Sequence, residues 1–192
     1  MPQAATLKIS REEYLVLEEQ GSIRHQFLDG EVFAMTGGTF AHSAISGNVL
    51  AALSRRLDGK PCRPMNSDMR VHTPSGLDTY PDVSVFCGRP ELTDEQRTLL
   101  NPVVLFEVWS PSTRGYDRGD KFAHYRSITS LHDYVLVDAE AVMVEHFRRS
   151  PDGWEWVLHE YRDPNDTLPL PAIDCELSLA EIYRDIEPGG GE

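Results

Sequence analysis

Two apolar stretches each carry one carboxylate, and they constrain this chain more than any other feature. They are Tyr80-Pro81-Asp82-Val83-Ser84-Val85-Phe86 and Val103-Val104-Leu105-Phe106-Glu107-Val108-Trp109. β-Branched and aromatic residues at this density predict buried strands. A lone charge in a buried strand costs several kcal/mol unless it is paired. Two carboxylates on neighbouring strands also repel one another unless a cation lies between them. A lysine, Lys121, follows on a predicted helix from Asp117 to Ser127. The simplest physical reading is a divalent-metal site with a lysine nearby, which is the chemistry of phosphodiester hydrolysis.

Side chains alternate along a strand, so Asp82, Ser84 and Phe86 share a face, as do Leu105, Glu107 and Trp109. Where these faces meet at neighbouring strand ends, Asp82 and Glu107 converge. Carboxylate oxygens suit magnesium or manganese. The competing reading leaves both acids exposed at strand ends and Lys121 solvated on its helix, where Asp117 (i−4) and Tyr125 (i+4) lie on roughly its face. Asp117, Arg118, Asp120 and Arg126 read as a charged helix surface. His42 stands at the start of the first core helix, where a helix N-terminus favours anions. Asp68 begins a strand and is either a further acid or a partner for Arg70. Ser110-Pro111-Ser112-Thr113 closes the Glu107 strand as a turn whose hydroxyls could meet phosphate. Basic contacts to a nucleic acid would come from Arg55, Arg56, Arg63, Arg70, Arg114 and Arg118.

The rest of the chain reads as one domain over residues 1–187, with a glycine-rich, disordered tail at 188–192. Ser10 and Glu13 form a capping-box pattern before a helix that runs to Gly21. Asp29-Gly30 joins two short strands. Ala41 to Leu57 has helical spacing and ends at Gly59 and Pro61. Cys62–Met65 and Asp68–Thr73 are two short strand segments or one bent strand. Thr93–Leu100 is a helical turn or loop, Asp133–Asp138 a buried strand, and Val142–Phe147 with Trp154–Tyr161 a hairpin. Pro164–Pro171 is a proline-rich connection before a last short helix, Leu179–Asp185. The result is an α/β (α+β) fold whose core runs αβββαβ, a mixed sheet flanked by helices.

No apolar run is long enough to span a membrane, and the N-terminus lacks the pattern of a signal peptide. The three cysteines, Cys62, Cys87 and Cys175, fit neither a disulfide framework nor a zinc motif, so a cytoplasmic setting is expected. With 18 basic and 31 acidic residues the net charge is −13. That excludes a generic nucleic-acid coat protein, but not an enzyme that uses local charge and metal.

Several stretches together resemble a known family. They are Phe27-Leu28-Asp29-Gly30-Glu31, Ser67-Asp68-Met69-Arg70-Val71, Tyr80 to Val85, Glu107 to Thr113, Tyr116 to Phe122 and Tyr134 to Asp138. They look like the PD-(D/E)xK nuclease superfamily and, more closely, its Uma-type family of bacterial restriction-endonuclease-like proteins. The resemblance implies a restriction-endonuclease-like fold and metal-dependent endonuclease activity, with DNA as substrate and Mg2+ or Mn2+ as cofactor. Asp82 and Glu107 match the metal-binding acids. The superfamily lysine falls two residues after the second acid, where this chain has Trp109. Lys121 is the candidate replacement from the following helix. His42 and Asp68 match further polar positions. A homodimer is expected, because two sites cut both strands of a duplex and C2 dimers are the commonest assemblies. The alternatives are a catalytically silent nucleic-acid- or protein-binding module on the same fold, and a hydrolase of small phosphoesters.

Overall fold

The computed structural model describes residues 8–35 and 37–187, so the proposed tail at 188–192 lies outside the described residues. The first helix, α1 (Arg11–Gln20), starts at the predicted capping box: the Ser10 side chain accepts from the Glu13 N–H and the Glu13 carboxylate accepts from the Ser10 N–H. The hairpin β1 (His25–Leu28) and β2 (Glu31–Ala34) turns at Asp29 and Gly30, both at positive φ, as the Asp-Gly pair demands. Helix α2 (Phe40–Arg56) buries Ile45, Val49, Ala52 and Leu53 and is capped by the Thr39 hydroxyl.

The main sheet uses β3 (Cys62–Asn66), β6 (Val83–Cys87), β9 (Val104–Trp109), β10 (Asp133–Asp138), β11 (Val144–Arg149) and β12 (Trp156–Tyr161). Its order is β12-β11-β10-β9-β6-β3, and only the β9–β10 pair is parallel. That pair is joined by a helical crossover: α3 (Arg114–Tyr116), a π-helical turn (Asp117–Lys121) and α4 (Phe122–Tyr125). The mixed sheet flanked by helices is therefore as expected. Alternation divides its side chains cleanly. Val83, Val85, Val104, Phe106, Val108, Val135 and Val137 pack into one core with Ile45, Val49 and Leu53 of α2 and with Leu168, Leu177 and Leu179. Leu105, Tyr134 and Leu136 pack under Phe122, Tyr125, Ile128 and Leu131 of the crossover.

A second sheet has the order β2-β1-β5-β4-β8-β7, with β4 (Arg70–His72), β5 (Asp78–Thr79), β7 (Leu92–Thr93) and β8 (Thr98–Leu99). The segments at Cys62 and Asp68 are thus two strands in different sheets. Thr93–Leu100 is not a helical turn but the turn and second strand of the β7–β8 hairpin, whose turn residues Asp94, Glu95 and Gln96 all have positive φ. Two-residue strands are too short to show a period. The proline-rich stretch likewise holds a strand, β13 (Thr167–Leu170), which among the described residues pairs only with β14 (Cys175–Ser178). Pro169 is tolerated there because its missing donor costs nothing on the unpaired side. A short α5 (Leu179–Ile182) follows, with its own capping box at Ser178 and Glu181.

The cysteine expectation is corrected too. Cys62 and Cys87 are opposite each other across β3 and β6 and form a disulfide, leaving Cys175 free. Strand pairing brings them together although they are 25 residues apart. Among the described residues, no helix is long and apolar enough to cross a membrane.

Candidate active site

The antiparallel register of β6 and β9 pairs Val83 with Phe106, so one step further Asp82 stands opposite Glu107. Asp82 lies just before β6, where the pairing ends, and its Oδ2 accepts the Val108 N–H at 2.7 Å. This bond fixes the carboxylate beside β9. His42, in the first turn of α2, brings Nε2 within 3.2 Å of the same oxygen. The hydrogen bond to Asp82 raises the His42 pKa above the usual imidazole value, and burial opposes the rise.

Glu107 is buried, on the face of β9 covered by the crossover. Its Oε1 is 2.7 Å from Lys121 Nζ and accepts the Tyr125 hydroxyl at 2.7 Å. Asp117 Oδ1 is 3.5 Å from the same Nζ. Burial pushes the Glu107 carboxyl up to about 7; Lys121 pulls it down, while Asp82 and Asp117 push it further up. Lys121 is only 5% exposed. Burial opposes its charge, but Glu107 and Asp117 outweigh burial and hold the ammonium protonated. Burial and the Glu107 charge also keep the Tyr125 phenol protonated well above its ordinary value.

The structure thus brings Asp82, Glu107, Lys121 and His42 together and adds two residues. Asp117 is buried in the π turn rather than part of a charged helix surface. Tyr125 is a ligand of Glu107, not merely a neighbour on the helix face. The wide π turn, of a kind that often marks functional positions in helices, places Asp117 and Lys121 on the sheet side. Asp68 is elsewhere: it is exposed and paired with Arg24, and its second oxygen accepts from Asn66 at 3.0 Å. Arg70 is not its partner and is not available to a ligand. It is buried, hydrogen-bonded to Thr98 at 2.8 Å and close to Asp78 and Asp94. Arg56 is engaged by Glu181, and Arg114 and Arg118 point to Glu145.

A polar cleft of about 510 Å³ opens beside Asp82 and His42, lined also by Arg24, Ser43, Ser46 and Tyr80. Within the cluster the donors available to a metal are carboxylate oxygens, the hard ligands that magnesium and manganese prefer. Among the described residues no group of three or more His, Cys, Asp or Glu forms a ready metal cage. Asp82 Oδ1 and Glu107 Oε2 have no hydrogen-bond partner among the described residues, whereas Oδ2 and Oε1 are engaged. Three carboxylates face one lysine and one histidine, an excess of negative charge that suits a dication held by two protein oxygens with water completing its shell.

Residues 11–181 match the family model described as "Uma2: Putative restriction endonuclease". The chain belongs to the Uma2 family. Two relatives from Synechocystis sp. (strain ATCC 27184 / PCC 6803 / Kazusa) cover nearly all of it. The uncharacterized protein slr1290 is 36% identical over 96% of this chain and 96% of its own length. The uncharacterized protein sll1609 is 33% identical over 86% of this chain and 94% of its own. The fold is similar to the crystal structure of a putative nuclease belonging to DUF820 from Anabaena variabilis ATCC 29413. That likeness has a TM-score of 0.68 at 17% identity and covers 83% of this chain and 89% of that one. The family model describes nuclease-type proteins, and the solved structure shares its fold with this chain.

Proposed function

We propose that this Uma2-family chain is a divalent-metal-dependent endonuclease that hydrolyses phosphodiester bonds in DNA. The observation that carries the proposal is the cluster of partly exposed Asp82 with buried Glu107 and Lys121 where the pairing of β6 and β9 ends. Asp82 and Glu107 would hold Mg2+ or Mn2+. Lewis acidity toward a phosphate oxygen and acidification of water are what such an ion contributes when bound. Lys121 holds a positive charge where negative charge builds on the phosphate, and Asp117 and Glu107 keep that charge in place. Tyr125 orients Glu107 by donating to one oxygen, which leaves the other for the ion. His42 steadies Asp82 and supplies a proton donor at the edge of the cleft. Asp68 acts at one remove, holding Arg24 at the cleft wall where a backbone phosphate would pass.

We assign the chain to one domain over 1–187, acting as a homodimer in the cytoplasm. A reducing cytoplasm keeps a pair such as Cys62 and Cys87 as thiols, so the fold must there stand without the bond. One observation favours a second reading, a catalytically silent binding module. Glu107 Oε1 is already saturated by Lys121 and Tyr125, and the usual lysine position is Trp109.

The test is cleavage of supercoiled, linear and single-stranded DNA with magnesium and with manganese. Wild type is compared with Asp82→Ala, Glu107→Ala and Lys121→Ala. The expected result is metal-dependent cutting that falls at least about a hundredfold in all three variants. Cutting that survives Lys121→Ala rejects that lysine's role. No cutting of any DNA form by wild type favours the silent module. Unchanged metal affinity in both acid variants would sink the metal assignment.

A further inference from the structure

A second cavity, of about 560 Å³, opens between the β1–β2 hairpin and the crossover helix. Leu28, Phe33, Ala34, Met35 and Ala123 give it an apolar wall, and Tyr116 and Asp120 edge it. Its size is that of a small-molecule site. The floor is fixed, because the Gln26 amide is held at both ends: Nε2 donates to the Tyr116 hydroxyl, and Oε1 accepts the Thr79 hydroxyl at 3.3 Å. Phe33 leaves 49% of its surface exposed, an unusual placement for a phenylalanine.

Its position gives the cavity meaning. Met35 lines both this cavity and the polar cleft that holds His42 and Asp82. Tyr116 immediately precedes the π turn that carries Asp117 and Lys121. A nucleic-acid strand laid across the catalytic cluster therefore meets a polar cleft with Arg24 on one side of Met35 and an apolar cavity on the other. No lysine or arginine lines the apolar cavity; its basic lining is His124, whose Nδ1 is 2.8 Å from the Ser75 hydroxyl, and Asp120 would repel a phosphate there. A flat, uncharged group suits it, with a ring face for Phe33 and an amino edge for the Asp120 carboxylate. Among the described residues that carboxylate has no hydrogen-bond or ion-pair partner.

We infer that this cavity receives an unstacked nucleobase of the substrate strand, next to the scissile phosphate. The inference rests on the nuclease reading for the presence of the strand. It also answers the charge problem. A chain of net charge −13 gains little from non-specific attraction to phosphates, so base stacking must supply part of the affinity. Enzymes that need an exposed base favour single-stranded or locally unpaired nucleic acid, where unstacking costs least.

The experiment measures binding of a single-stranded oligonucleotide carrying 2-aminopurine, with phosphorothioate linkages that resist hydrolysis, in magnesium buffer. The expected result is a fluorescence change on binding and roughly tenfold weaker affinity for Phe33→Ala. Phe33→Trp should keep the affinity, and Ala123→Trp, which fills the cavity, should lose it. A strand with an abasic site at the probe position should bind wild type about tenfold more weakly. Phe33 is half exposed, so its substitution does not threaten folding. Equal affinities of wild type, Phe33→Ala and Ala123→Trp, or of the abasic and intact strands, would overturn the inference, as would no binding at all. Parallel cleavage assays separate the two readings. Cutting with no effect of the cavity variants on binding rejects the base site alone. Phe33-dependent binding without any cutting rejects the nuclease alone.

Discussion

Lys121 Nζ stands 2.7 Å from Glu107 Oε1 in a place where both side chains are almost wholly shielded from water. The lysine reaches the acid from the crossover helix, not from the strand position two residues on, which Trp109 fills as a fully buried core residue. Removing one member of such a pair leaves the other buried alone, at a cost of about 3–5 kcal/mol. Glu107 can escape that cost by taking a proton, since burial already raises its carboxyl to about 7. A raised carboxyl pKa means the folded state binds the proton more readily, so stability falls as pH rises from the unfolded value toward 7. Lys121→Met should therefore destabilise strongly at pH 8 and much less at pH 5.5. Urea unfolding at the two pH values measures it, with the Lys121→Met/Glu107→Gln double variant recovering most of the loss.

Glu145 lies in the same row of the sheet, since Leu136 of β10 pairs with Glu107 on one side and Glu145 on the other. It is fully buried, and its two oxygens face Arg118 at 3.1 Å and Arg114 at 3.5 Å. These contacts fasten the start of the crossover to β11. Glu145→Ala is expected to raise amide hydrogen exchange across residues 114–121 by at least tenfold while the β9 and β10 amides stay protected. Unchanged exchange there would show that packing of Phe122 and Tyr125 alone holds the segment.

The second sheet is tied to α1 through Asp78, which is fully buried and bonded by Arg11 at 2.8 Å and near His72 at 3.0 Å. Burial pushes its carboxyl up, but the nearby His72 and the bonds from Arg11 outweigh burial and hold it below the usual aspartate value. A depressed pKa contributes stability that is present above the unfolded value near 4 and is lost as pH falls below it. Asp78→Ala should destabilise the fold at neutral pH by removing one of the two carboxylates that Arg11 and Arg70 share, with Asp94 left to pair both. It should also flatten the loss of stability on acidification below about pH 4, as read by urea midpoints.

The Cys62–Cys87 bond closes a loop between β3 and β6 at the end of β6 remote from Asp82. Loop-closure arguments give it about 3 kcal/mol of stabilisation. Reduction with dithiothreitol should lower the urea midpoint accordingly and leave magnesium affinity unchanged. A change in metal affinity on reduction would show that the strand register reaches from the bond to the site.

Local chemistry made much of this fold legible. The capping box at Ser10, the Asp29-Gly30 turn and the alternation in Val83–Cys87 and Val104–Trp109 each act within a few residues. Asp82 and Glu107 could be named because a charge inside an apolar strand is costly wherever the chain folds, and Lys121 because it follows the Glu107 strand by one helix and matches the family resemblance. The second sheet was largely hidden, because strands of two or three residues carry no period.

What the sequence determined by itself was the set of elements and the charged residues that needed partners. Which partners they found was decided by tertiary structure. Asp117 reads as a surface residue by helical spacing, yet the π turn and the packing of the crossover on β9 and β10 bury it beside Lys121. Arg70 reads as a partner for nearby Asp68, yet the second sheet closes it against Thr98, Asp78 and Asp94. Cys62 and Cys87 carry no spacing motif, and only the β3–β6 register sets them face to face. In each case the deciding contact joins segments distant in sequence, and the energy of burying a charge or pairing a strand depends on what the whole fold brings to that point.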